Sequence, residues 1–105
     1  MPTDMPPLPD VVLYGRPGCH LCDETRELLR ALLAERGHDG RSTPRLLERN
    51  IELDPELHRR FLTTIPVIEV GDRRVELATS AAQVRRLLDE TLDPEPARLP
   101  TTPTR

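Results

Sequence analysis

Apolar residues fall along this chain in short blocks, and the spacing within each block names an element. Val11-Val12-Leu13-Tyr14 is an apolar run without alternation, the pattern of a short central strand covered on both faces. A Gly/Pro turn follows. From Cys19 to about Glu35, Leu21, Cys22, Leu28, Leu29, Leu32 and Leu33 fall on one helical stripe, with Asp23, Arg26, Glu27 and Arg30 on the other side. Gly37 is expected to end that helix, and residues 37–44 to form a polar loop.

Residues 45–53 contain Leu46, Leu47, Ile51 and Leu53 and read as a second strand. Asp54-Pro55 supplies an N-cap and a first-turn proline for a short helix to about Leu62, with Leu57, Phe61 and Leu62 as its apolar contacts. Val67-Ile68-Glu69-Val70 is a β-branched strand, Gly71-Asp72 a two-residue turn, and residues 73–77 its hairpin partner. Ser80 and Gln83 have the spacing of a capping box, and Val84, Leu87 and Leu88 form the stripe of a last helix to about Leu92. The order is βαβαββα, with the first two strands parallel through a right-handed crossover.

At 105 residues the chain has room for one small domain, placed at residues 11–92. One Phe, one Tyr and no Trp leave Leu, Val and Ile to fill its core. Residues 1–10 and 93–105 are rich in proline and are expected to be a disordered leader and a disordered tail. The leader has no apolar run, so neither a signal peptide nor a membrane span is expected, and the chain is assigned to the cytoplasm.

The net charge of −3, with arginine pairs at 59–60, 73–74 and 85–86 interspersed with acids, argues against a nucleic-acid surface. Those pairs read as solvated faces.

The chemistry lies where the first strand becomes the first helix, because Cys19 and Cys22 are the only cysteines. The first amides of a helix lack partners within it and carry partial positive charge, which favours a thiolate at Cys19. Cys22, three residues on, is within reach to attack a mixed disulfide formed at Cys19. Arg16 reads either as a second positive charge near that thiolate or as a solvated turn residue, and His20 either as a thiolate-tuning group when protonated or as mere surface. Asp23 and Glu24 act the other way, since a nearby anion disfavours a thiolate. Rival readings of the pair are two inert core thiols, or half of a zinc site. Against zinc, His20, His38 and His58 do not form a second paired motif.

Leu13-Tyr14-Gly15-Arg16-Pro17-Gly18-Cys19-His20-Leu21-Cys22-Asp23-Glu24 resembles the start of small bacterial glutaredoxin-like proteins, within the thioredoxin superfamily. Ile65-Pro66 before the third strand is the second marker. The resemblance implies an α/β, thioredoxin-like fold of glutaredoxin type. Its four-stranded mixed sheet would run in the order second, first, third, fourth, with the third strand antiparallel to the first and helices on both faces. It also implies that Pro66 is a cis-proline facing the cysteines, with the amide and carbonyl of Ile65 open to a substrate's extended chain. A trans proline that merely starts a strand is the alternative.

Arg16 matches a basic residue that glutaredoxins carry three positions before the first cysteine. Where they carry Gly-Gly and an acid to hold glutathione, this chain has Glu76-Leu77-Ala78-Thr79-Ser80, so Thr79 and Ser80 are the groups left to receive a carboxylate there.

The resulting expectation is a monomeric thiol–disulfide oxidoreductase. Cys19 and Cys22 are catalytic, while Arg16, Ile65, Pro66, Thr79 and Ser80 bind substrate or glutathione. No bound cofactor or metal is expected, and glutathione is a candidate reductant. The partner is a disulfide-containing protein or a low-molecular-weight thiol, with neither nucleic acid nor membrane. Two other classes compete: an iron–sulfur or metal carrier using the same cysteines, and a binding module without turnover.

Overall fold

The computed structural model describes residues 8–93. Its elements are β1 (Val11–Gly15), α1 (His20–His38), β2 (Leu46–Asn50), a 3-10 turn (Ile51–Leu53), α2 (Pro55–Phe61), β3 (Val67–Val70), β4 (Arg73–Val75) and α3 (Ala81–Leu92). The sheet order is β2-β1-β3-β4. β1 runs parallel to β2 and antiparallel to β3, and β3 and β4 form a hairpin. The expected thioredoxin-like architecture is therefore present.

Alternate residues of β1 and β3 face opposite sides of the sheet, as the two-residue period of a strand requires. Val11, Leu13, Ile68 and Val70 join Leu29, Leu32 and Leu33 of α1 and Val84, Leu87, Leu88 and Leu92 of α3 in the larger core. Tyr14 and Val67 face the other way and meet Ile51, Phe61 and Leu57, which the 3-10 turn and α2 supply. Two helices cover one face and a seven-residue helix covers part of the other.

Several boundaries differ from expectation. The second strand stops at Asn50, whose side-chain oxygen accepts from the amide of Glu52 at 2.8 Å and turns the chain into the 3-10 turn. Ile51 is still buried, while Leu53 is exposed. Gly37 lies inside α1 rather than ending it. Gly40, two residues past His38, holds the left-handed conformation, with φ of 75°. The fourth strand ends at Val75, short of Leu77.

Leu21, placed on the stripe of α1, is 46% exposed, and the buried stripe is instead Cys22, Thr25, Leu29, Leu32, Leu33 and Arg36. Leu62 is likewise exposed, one residue past α2. The caps at Asp54 and Ser80 are formed as expected, each side-chain oxygen accepting from amides of the first helical turn.

Of the expected leader at 1–10 and tail at 93–105, residues 1–7 and 94–105 lie outside the described residues. Asp10 and Asp93, assigned to those segments, are held by Arg45 at 3.0 Å and by Arg36 and Arg41, both also at 3.0 Å.

Candidate functional site

The strand-to-helix junction is built by one turn. Arg16-Pro17-Gly18 reverses the chain after β1, and Gly18 takes φ of 79°, a conformation a side chain disfavours. The amide of Cys19 donates back to the Arg16 carbonyl at 3.3 Å, which leaves Cys19 as the N-cap of α1. Its sulfur accepts from the amide of Cys22 at 3.1 Å, so a helix N-terminal N–H that would otherwise lack a partner points at that sulfur.

Cys19 and Cys22 are joined by a disulfide, with their Cα atoms 5.2 Å apart. Cys19 is partly exposed, whereas Cys22 is 1% exposed. The two sulfurs are therefore unequal: one can be reached from outside and the other is walled in.

The charged groups around the pair are directed elsewhere. Asp23 bonds Arg26 at 3.0 Å, and Arg26 also bonds Glu48 at 2.7 Å. His20 is 83% exposed and pairs with Glu24 at 2.9 Å, one helical turn on. Of the two acids expected to oppose a Cys19 thiolate, Asp23 thus has a guanidinium partner of its own, and Glu24 an imidazole. Arg16 is exposed, with its guanidinium 3.6 Å from Glu52.

The Ile65-Pro66 bond is cis, and both residues are buried. Ile65 belongs to the core cluster that includes Tyr14, Cys22 and Phe61, against which Cys19 also packs. The sequence-predicted proline loop and both cysteines are therefore in one cluster. The amide of Ile65 is not open, however: it donates to the Phe61 carbonyl at 3.0 Å, because α2 ends immediately upstream and its last turn takes that donor. The expectation of a free Ile65 amide is corrected accordingly.

Ala78 ties the proline loop to the cysteine helix. Its amide donates to the Pro66 carbonyl at 2.8 Å, and its carbonyl accepts from Thr25 Oγ1 at 2.9 Å, one turn along α1 from Cys22. Leu77, beside it, donates its amide to Thr64 at 2.8 Å and takes φ of 52°, in the region that favours glycine. Thr79 and Ser80 follow directly and are exposed. The Ser80 hydroxyl caps α3, and the Thr79 amide donates to the Leu77 carbonyl.

Thr25 and Ala78 were not singled out from sequence. A threonine on an otherwise leucine-bearing stripe was the available signal for the first, and nothing in the pattern pointed to the second.

A pocket of about 250 Å³ opens beside Cys22 on the β2 side, with Gly15, Arg16, Arg26, Glu48 and Asn50 among its walls. Among the described residues, no three His, Cys, Asp or Glu side chains are grouped to hold a metal ion. No helix among them is long and apolar enough to cross a membrane.

A family profile described as "Glutaredoxin-like domain (DUF836)" matches residues 10–91. Among solved structures, a structural-genomics target protein from X. campestris is 26% identical with a TM-score of 0.59, over 76% of this chain and 96% of that one. A Nitrosomonas europaea protein solved in solution is 32% identical with a TM-score of 0.52, over 72% of this chain and 81% of that one. A malarial protein at 19% identity and a TM-score of 0.53 shares the fold. No curated protein matches this chain. The profile and the paired cysteines together support a thiol redox type of function.

Proposed function

Because this chain belongs to the glutaredoxin-like domain family, we propose that it is a cytoplasmic thiol–disulfide oxidoreductase working through Cys19 and Cys22. One observation carries the reading: the reachable sulfur of a bonded pair sits at the N-cap of α1 with a helix amide directed at it. In the reduced chain the same amide and the helix dipole favour a thiolate at Cys19.

That thiolate attacks a substrate disulfide, forming a mixed disulfide and releasing one thiolate. Cys22 then attacks the Cys19 sulfur, closes the internal disulfide and releases the second thiolate. Two electrons pass from the chain to the substrate, and an external thiol, with glutathione as the candidate, returns them. The inequality of the two sulfurs suits this division of labour. A buried Cys22 does not meet substrate before Cys19 does.

Pro66 and the side chain of Ile65 are assigned to wall the approach to Cys19. Arg16, Thr79 and Ser80 are assigned to meet the charged ends of a small peptide-like thiol. The protein acts as a monomer on a disulfide-containing protein or a low-molecular-weight disulfide.

The test is reduction of a model disulfide by the wild-type chain, Cys19→Ser and Cys22→Ser. Wild type is expected to turn over, Cys19→Ser to be inactive, and Cys22→Ser to stop at a mixed disulfide. If wild type is no faster than Cys19→Ser, the reading fails. A cluster carrier on the same cysteines would instead yield a coloured dimer after anaerobic purification.

A further inference from the structure

Gly15 ends β1 without a side chain, and Cys22 crowds the space for one. A Cβ there would stand 3.0 Å from Cys22 Sγ and 3.1 Å from Cys22 Cβ, so tight that Cys22 would have to give by a few tenths of an ångström. The backbone does not ask for glycine at this point. Gly15 lies in regular strand pairing opposite Asn50, and it is not among the glycines of positive φ. What crowds a side chain there is the cysteine.

We propose that Gly15 is the positioning residue for the second half of the exchange, holding Cys22 where it can attack the Cys19 mixed disulfide. This inference rests on the oxidoreductase reading. Cys22 is 1% exposed and belongs to the buried cluster of Tyr14, Ile51, Phe61, Ile65 and Val67, so it has little room to yield. The adjacent open space is the pocket toward β2, and Cys19 is not among its walls. A sulfur that rotates into it leaves Cys19 behind.

The two contacts at Gly15 are both with Cys22, and no atom of Cys19 is among the nearest neighbours. A methyl group at position 15 therefore acts on resolution and spares the first attack. In that first attack the Cys19 thiolate breaks the substrate S–S bond, bonds one half of it and releases the other as a thiolate. In resolution the Cys22 thiolate bonds Cys19 Sγ and expels the half held there as a second thiolate, which takes a proton from solvent. With Gly15→Ala the chain is left with the chemistry of Cys19 alone.

The experiment mixes the reduced full-length chain with oxidised glutathione, quenches by alkylation at intervals, and follows intact mass. Wild type, Gly15→Ala and Cys22→Ser are compared. For Gly15→Ala the mixed disulfide is expected to form within twofold of the wild-type rate and to persist at least tenfold longer, approaching Cys22→Ser. Resolution within twofold of wild type overturns the inference, and so does an equal slowing of both steps, which would mark a general structural effect.

If wild type itself forms no mixed disulfide and consumes no disulfide, the oxidoreductase reading fails and takes this inference with it. If Gly15→Ala does not fold, Gly15→Ala combined with Cys22→Ala removes the closest contact. The double variant is then expected to regain a cooperative melting transition, and its failure to do so overturns the inference.

Discussion

Thr25 Oγ1 donates to the carbonyl oxygen of Ala78 at 2.9 Å, and both residues are buried. This bond fastens the first turns of the cysteine helix to the segment that carries Thr79 and Ser80. Thr25→Val keeps the shape but leaves the Ala78 carbonyl without its partner and away from water, at a cost of about 1–3 kcal/mol. Thr25→Ser restores the donor and is expected to recover most of that loss. Urea unfolding of the three proteins checks it, and equal stability of Thr25→Val and wild type would show that the bond contributes nothing.

Tyr14 is the only tyrosine in the chain, so phenolate absorbance reports on this one group. Its hydroxyl donates to Glu69 Oε1 at 2.8 Å, and burial, followed by the bond to that carboxylate and its charge, pushes the phenol above its ordinary value of 10.0. A phenol whose folded pKa is raised contributes stability that is fully present below the unfolded pKa. That contribution is lost as pH rises from about 10 through the folded value. Glu69→Gln removes the charge that opposes ionisation. The titration midpoint of Tyr14 is therefore expected to lie above 10 in wild type and to fall in Glu69→Gln. An unchanged midpoint would remove Glu69 as a cause.

The order of elements and the cysteine pair at the strand-to-helix junction were legible because each rests on local pattern. Apolar period, caps and turn residues act within a few positions of one another. The cis Ile65-Pro66 bond was legible through family resemblance, since proline alone does not choose the isomer.

What sequence hid came from tertiary contacts. Thr25 and Arg36 are polar yet lie on the buried stripe of α1, because Ala78 and Asp93 await them from distant positions in the chain. Leu21 is apolar yet exposed, one step around the helix from the buried Cys22. The end of β2 was misplaced because Ile51 looks like a strand residue, and the Asn50 side chain that redirects the backbone has no counterpart in a hydrophobic pattern. In the site, the same blindness left the Ile65 amide looking free when the end of α2 claims it.

Arg36 is the clearest case of a residue whose role is set by its partners. It is 2% exposed, its Nε donates to the Ser42 carbonyl at 2.9 Å, and its Nη1 donates to Asp93 at 3.0 Å and to Asp89 at 3.3 Å. Hydrogen bonding from Arg36 is the largest influence on Asp93 and holds its carboxyl below the ordinary value of 3.8. A carboxylate depressed in the folded state contributes stability present above its unfolded pKa, and that contribution is lost as pH falls through the folded value. Asp93→Asn removes one charge-assisted partner of a buried guanidinium. It is expected to lower stability by about 1–2 kcal/mol at neutral pH, allowing for the partial exposure of the carboxylate. As pH falls below 3.8 and through the depressed folded value, the wild-type carboxyl takes up its proton and comes to resemble the amide, so the two proteins should converge. Urea midpoints measured from pH 7 down to the acid limit of folding check this. A gap that stays constant across that range would show that Asp93 ionisation does not stabilise the junction of α1 and α3.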